Sequence, residues 1–335
     1  MSGFERDRLT WWSYGIVASF AFLLNGLGPV VLDLRDELDL SRTVAGLHST
    51  GLAVGVLVAG ALGEALRRVV GWTGVLWAGI SGLLAGVLGL GLAETVALTL
   101  PSGVLIGLAG TLLLTMVPSL LLARHGPSSG AAVSEAHATA SLLGVVAPLA
   151  VGASLAAFGV WLPAFLVITL RLLPLLGLFA PELPDPAPAT PAPAEAGGLP
   201  GGYWRWWMAL LFGVAVEFSI LLWAADDAEQ RLDLSSEAAA VAPAAFLLGM
   251  AMARGGGARL LLGGRTDRVF RRAALWAIAA FLLYRATDRV AVSLLGILLV
   301  GTGVGLLYPT ALARSMAAAP GREALASTRS ALASG

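Results

Sequence analysis

Val290-Ala-Val-Ser-Leu-Leu-Gly-Ile-Leu-Leu-Val-Gly-Thr-Gly-Val-Gly-Leu-Leu-Tyr-Pro-Thr-Ala-Leu312 carries no charged side chain from end to end. About 20 apolar residues in a helix cross a bilayer, so this stretch reads as a membrane span. Working outward from it, further apolar segments fall at 11–31, 44–66, 72–93, 96–123, 131–157, 161–179, 207–225, 238–253 and 270–286, ten spans in all. In the ninth, Arg272 and Arg285 lie so close together that both side chains must snorkel to the interfaces. Composition agrees: 57% of the 335 residues are hydrophobic and 13% charged, against about a quarter charged in soluble chains. The expected fold class is all-α, a polytopic membrane helix bundle.

The net charge is zero, so no bulk attraction to nucleic acid is expected. With no Cys there can be no disulfide, thiolate chemistry or cysteine metal site. Lys is absent while Ala, Gly, Leu and Arg abound, a composition that suggests a GC-rich bacterial genome and an inner-membrane location. The charged Phe4-Glu-Arg-Asp-Arg8 precedes an apolar run too long for a cleavable leader, so residues 11–31 read as an uncleaved first span. With the N-terminus inside, only Arg35, Arg42, Arg231, Arg285 and Arg289 of the 21 basic residues fall outside. That asymmetry places the N-terminus in the cytoplasm.

Residues 181–193, Pro181-Glu-Leu-Pro-Asp-Pro-Ala-Pro-Ala-Thr-Pro-Ala-Pro193, cannot build a core and read as an extended linker. The expected organisation is a six-span half over 1–180, a cytoplasmic linker over 181–202 and a second half over 203–335. Tyr203-Trp-Arg-Trp-Trp207 reads as an interfacial aromatic anchor. The halves repeat: Leu38-Asp-Leu-Ser41 recurs as Leu232-Asp-Leu-Ser235, and Gly55 as Gly249, both at an offset of 194. Gly110-Thr111 and Pro118 match Gly301-Thr302 and Pro309 at an offset of 191. At that second offset Gly335 falls opposite Gly144, so the chain is expected to stop as an eleventh span begins.

With these features the sequence resembles the major facilitator superfamily. The resemblance covers the whole chain. It is carried by Ala45-Gly-Leu-His-Ser-Thr50 before Gly55, Arg124-His-Gly-Pro127 before Ser134-Glu-Ala-His-Ala138, Val216-Glu-Phe-Ser219 before Trp223-Ala-Ala-Asp226, and Leu248-Gly-Met-Ala-Met-Ala-Arg254. The family's loop signature between spans two and three survives only as Gly60-Ala-Leu-Gly-Glu64-Ala-Leu-Arg67-Arg68. A closer match, Gly263-Gly-Arg-Thr-Asp267-Arg268-Val-Phe-Arg271-Arg272, stands nine residues later than the repeat predicts. The resemblance implies a six-plus-six transporter fold, here lacking its last two spans, and a monomer that moves a small solute by alternating access.

Polar groups inside the spans are the candidate site residues. Glu217, mid-way along span seven, must be paired, protonated or facing water, and is the expected proton-coupling group. Asn25, before Gly28-Pro29, can donate and accept toward a substrate, or can serve freed backbone groups at a helix break. His48, His137, Trp223 and Tyr308 are further substrate-side candidates. Glu135 and His137, two residues apart, point to different faces and cannot form one acid–base pair. Glu135 is expected to pack or gate against an arginine, and Arg171, mid-span on helix six, to find an ionic partner in preference to an anionic substrate. Arg67, Arg68, Arg254 and Arg268, with Glu64 and Asp267, are topology determinants at the cytoplasmic face, or a charge network between the halves.

No phosphate loop, zinc spacing or nucleophile motif occurs: Gly55 and Gly60 lack the Lys-Ser/Thr that should follow. No cofactor and no metal are therefore expected. The leading function is secondary transport driven by an ion gradient, most plausibly of protons, with a polar solute such as a sugar ahead of hydrophobic drugs. The alternatives are a non-transporting receptor or scaffold and, disfavoured because His48, His125 and His137 lack matching partners, a membrane enzyme.

Overall fold

Gly71 decides how the first half folds. In the computed structural model, which describes residues 5–125, 129–174, 199–261, 266–320, 326 and 329–330, one helical run extends over α3, Arg42–Leu92. Within it Gly71 takes φ 69° and ψ −179°, a left-handed conformation that residues with a Cβ avoid. The run is thus two spans folded back on one another against a common neighbour, α4 (Val96–His125). Before the break, Gly51 meets Leu100 and Val104, Gly55 meets Val104 and Leu108, and Gly63 meets Leu112, so the two helices run parallel. After it, Gly79 meets Leu113, Gly82 meets Ala109 and Gly86 meets Ile106, so the direction is reversed. Small residues on both sides let these backbones approach closely, the usual basis of helix association in lipid.

The first span is bent. α1 (Arg8–Asn25) and α2 (Leu27–Glu37) meet at Gly26 with a 41° change of direction. Pro29 has no N–H to give the carbonyl four residues earlier, that of Asn25, which breaks the ladder there. α1 packs on α5 (Ser129–Phe158), where Gly144 lies against the Asn25 amide, and on α4, where Gly110 lies under the Phe20 ring. A short α6, Leu162–Leu170, adds Phe165, which meets Phe22 and Trp161 edge-on.

The second unit repeats this plan. α7 (Gly201–Leu232) leads through a single-turn α8 (Ser236–Ala239) to α9 (Val241–Leu261), α10 (Thr266–Arg285) and α11 (Val290–Ala317). Asp39 and Asp233 both take positive φ, 50° and 54°, and Ser41 and Ser235 both cap the next helix through their side chains. Gly249 meets the Leu298 carbonyl as Gly55 meets that of Val104, and Gly301 meets the Phe246 carbonyl as Gly107 meets that of Leu52. Every one of these pairs is related by 194 residues. The offset of 191 expected for span four is therefore corrected: Gly301 matches Gly107, not Gly110.

Contacts divide the chain into two compact units, Met1–Pro188 and Ala189–Gly335. Among the described residues seven helices are long and apolar enough to cross a membrane, or up to eight if the bent pair α1–α2 is one span. This is fewer than the ten expected. Among the described residues α6 is too short, and α10 opens on Asp267, Arg268, Arg271 and Arg272, too many charges for a simple span. The aromatic anchor is also revised. Tyr203 is fully buried, its hydroxyl bonded to the Ala326 carbonyl and Ser330, and Trp207 donates to the Arg329 carbonyl, so these two rings bind protein, while Trp204 stays 41% exposed.

Candidate functional site

On α7 the buried side is a stripe at helical spacing: Leu210, Gly213, Leu221, Ala224 and Ala228. Glu217 falls on that stripe, between Gly213 and Leu221, so its carboxylate is aimed at the neighbouring helices. There it meets Arg254 of α9, whose Nη2 lies 3.1 Å from Oε2 and 3.4 Å from Oε1. The Glu217 side chain retains 17% of its exposure and that of Arg254 40%. Arg254 also donates through Nε to the Gly305 carbonyl at 3.4 Å. That carbonyl is free for a reason written in the sequence: the residue four positions on is Pro309, which has no N–H to give it. One guanidinium therefore joins three helices, α7 through a charge and α11 through a backbone group left open by a proline.

The remaining candidates divide by unit. In the first, Asn25 donates its amide to the Ala21 carbonyl at 2.7 Å, serving the backbone beside the break at Gly26. His48 is fully buried. Its Nδ1 faces the Ala45 carbonyl at 3.0 Å and its Nε2 the Thr99 hydroxyl at 2.8 Å, so packing within the unit uses both ring nitrogens. His137 is exposed on α5. Glu135 accepts from Arg6 at 2.6 and 2.7 Å and from the Tyr14 hydroxyl at 2.9 Å. Arg67 lies over the Trp72 ring at 5.0 Å, Arg68 is exposed, and the side chain of Glu64 lies outside the described residues. In the second unit Tyr308 packs on Leu210 and Ala311, Trp223 is half-buried, Asp267 pairs with Arg314, and Arg268 is exposed.

Arg171 differs from the ionic partnering expected of it. Its guanidinium donates to the Gly15 carbonyl at 3.1 Å and to Ser19 Oγ at 3.0 and 3.3 Å, and among the described residues it has no carboxylate partner.

Two networks escaped the sequence reading. At the far end of α7, Asp227 accepts from Arg231, Arg285 and the Tyr284 hydroxyl. Arg231 lies over the Tyr284 ring at 4.6 Å and donates to Ser293 at 2.7 Å. The i,i+4 spacing of Asp227 and Arg231 was the available signal. At the start of α1, Asp7 caps the helix through the Thr10 N–H and pairs with Arg124. Burial pushes the Asp7 carboxyl up, but the Thr10 hydroxyl and N–H and the Arg124 charge outweigh it and hold the pKa below its ordinary value. Among the described residues no group of three or more His, Asp or Glu could hold a metal ion.

The family model of the Major Facilitator Superfamily matches residues 13–333. A bacterial homologue of the human lysosomal transporter Spinster, inward-facing and occupied, superposes with a TM-score of 0.75 at 16% identity, covering 99% of this chain and 79% of that one. A D-xylose–proton symporter gives 0.68 at 16% identity, over 97% and 87% of the two chains. A peptide transporter in complex with sulfate gives 0.74 at 17%, over 98% and 86%. No curated protein sequence matches. At these identities the structural likeness is one of fold.

Proposed function

The chain belongs to the major facilitator superfamily, and on that premise we propose that it is a proton-coupled secondary transporter of a small polar solute, working by alternating access. The observation that carries the coupling is the Glu217–Arg254 pair. A carboxylate on the packed stripe of a spanning helix is costly to ionise alone, and Arg254 stabilises its charged form. When Glu217 takes up a proton the pair loses its charge attraction, leaving Arg254 a weaker hydrogen bond to it beside the bond to the Gly305 carbonyl. Protonation thus weakens the link from α7 to α9 and α11. A proton-dependent contact between spanning helices is the kind of two-state element that ion coupling needs.

A polar cargo is supported by the similar structures, among them a D-xylose–proton symporter, a peptide transporter and a nucleoside transporter. The bacterial inner membrane, the cytoplasmic N-terminus and the monomeric state belong to the same proposal. The test is reconstitution into liposomes with a pH-sensitive dye inside, challenged in turn with D-xylose, a dipeptide and a nucleoside. One of them should drive proton movement. Glu217→Gln, which keeps shape and hydrogen bonding but cannot change charge, should abolish gradient-driven accumulation while sparing solute exchange. Unchanged, pH-dependent accumulation by the Gln variant would remove Glu217 from the coupling path.

A further inference from the structure

We propose that Arg171, where it bridges α6 to α1, is a binding site for a phosphate-type oxyanion. Arg171 caps the C-terminal end of α6 and reaches across to α1. Its Nη2 and Nε are occupied by the Gly15 carbonyl and the Ser19 hydroxyl, both neutral. Ser19 spends its own proton on the Gly15 carbonyl at 2.7 Å, so it receives the guanidinium without offsetting the charge. Nη1, with two N–H donors, has no partner among the described residues. Other arginines of this unit do find acids: Arg6 on Glu135, Arg35 on Asp36 and Arg124 on Asp7. Arg171 is instead held in place by neutral groups, and among the described residues no carboxylate balances its charge.

Position supplies the anion's identity. Trp11 and Tyr14 stack edge-on near the start of α1, and Trp11 is 57% exposed, a level where aromatic side chains sit among lipid headgroups. Gly15 and Ser19 lie one to five residues beyond Tyr14, about 2–8 Å along the helix axis. The guanidinium therefore sits just inside the headgroup layer, within reach of a phosphate by snorkelling. Arg171 itself is exposed, and so are Val167 and Leu170 just before it, an apolar surface suited to acyl chains. A charge in this setting needs a partner, and the two N–H groups of Nη1 are the donors left for phosphate oxygens. Basic groups between spanning helices at the interface are how proteins hold anionic headgroups. The same chemistry would take free phosphate, so source and site need separate tests.

The full chain is placed in nanodiscs of phosphatidylcholine alone or with phosphatidylglycerol. Retained lipid is counted by native mass spectrometry and melting followed by tryptophan fluorescence. The wild type should retain phosphatidylglycerol and melt higher with it, and Arg171→Gln should bind about tenfold or more weakly, as loss of a charge-assisted hydrogen bond implies. Arg171→Lys, which keeps the charge and loses the fork, should fall between and guards against misfolding of the Gln variant. Protection by inorganic phosphate in pure phosphatidylcholine, lost in Arg171→Gln, would assign the site to the free oxyanion. Equal retention by wild type and Arg171→Gln, or no preference for either anion, would overturn the site.

Discussion

Alanine at Gly55 and alanine at Gly60, five residues apart on one helix, should change stability in opposite directions. A Cβ on Gly55 would stand 2.0 Å from the Val104 carbonyl oxygen and 2.6 Å from the Leu108 nitrogen, both backbone atoms that cannot rotate away. Ordinary contact begins at 3.4 Å, so the helices must part by 3.4 − 2.0 = 1.4 Å at that point. Overpacking costs about 1–3 kcal/mol, and a backbone obstacle puts this case toward the upper end. Against it stands the gain of about 0.5–1 kcal/mol for replacing a helical glycine by alanine. The net expectation is a loss of about 1–2 kcal/mol. At Gly60 nothing lies within 4 Å of the added methyl, so only the gain remains. Gly249, 2.0 Å from the Leu298 carbonyl, should behave like Gly55. Thermal unfolding in detergent, read by tryptophan fluorescence, resolves this, since roughly 1 kcal/mol moves Tm by about 2–4 °C in a domain of this size. Gly55→Ala and Gly249→Ala should each melt several degrees lower and Gly60→Ala slightly higher. A rise at Gly55 equal to that at Gly60 would refute the close approach and the register that relates the two units.

Other expectations follow from single contacts. His48→Ala should lower stability by about 1–3 kcal/mol, because the buried Thr99 hydroxyl loses its 2.8 Å partner and keeps only the 3.5 Å contact to the Val96 carbonyl. Solute exchange per folded molecule should stay unchanged, and a lost affinity with unchanged Tm would return His48 to the substrate site. The Asp7 carboxyl, held low when folded, stabilises above its unfolded value of about 3.9 and ceases to do so as pH falls through the lower folded value. The Tm gap between wild type and Asp7→Asn should thus be full at neutral pH and close progressively below about pH 4, whereas a gap independent of pH would assign the effect to geometry alone. For orientation, a cysteine at Asp36 should be labelled from outside intact cells and one at Arg68 should not. The chain contains no cysteine to interfere, and the reverse pattern would invert the topology.

The path from sequence to site is uneven. For Asn25 the helix break was one of two readings open in the sequence, because Pro29 acts locally, on the carbonyl four residues back. Glu217 was legible as out of place because burying an acid is costly wherever the chain leads. Its partner was not, because Arg254 lies 37 residues away and is equally well read as a topology charge. The link to Gly305 could have been found by counting back four from Pro309, yet only the structure shows that Arg254 fills the gap. His48 reads as a cavity-side candidate in one dimension. Thr99, brought alongside by the parallel packing of the first half of α3 on α4, accounts for it instead.

The sequence by itself determined that this chain lives in a membrane as helices, that it has two related halves, and that Glu217 is exceptional. Each of these depends on local composition or on self-similarity along the chain, and on the cost of unpaired polar groups in hydrocarbon. The tertiary structure alone decided which glycines pack backbone to backbone, which offset relates the halves, and which charges neutralise one another. Such facts depend on helix register, where a shift of a few residues exchanges one facing side chain for another without changing the hydrophobicity of either helix. That is why Arg254 and Arg171 look alike as intramembrane arginines in the sequence, while only the fold brings a carboxylate to the first and leaves the second facing serine and a backbone carbonyl.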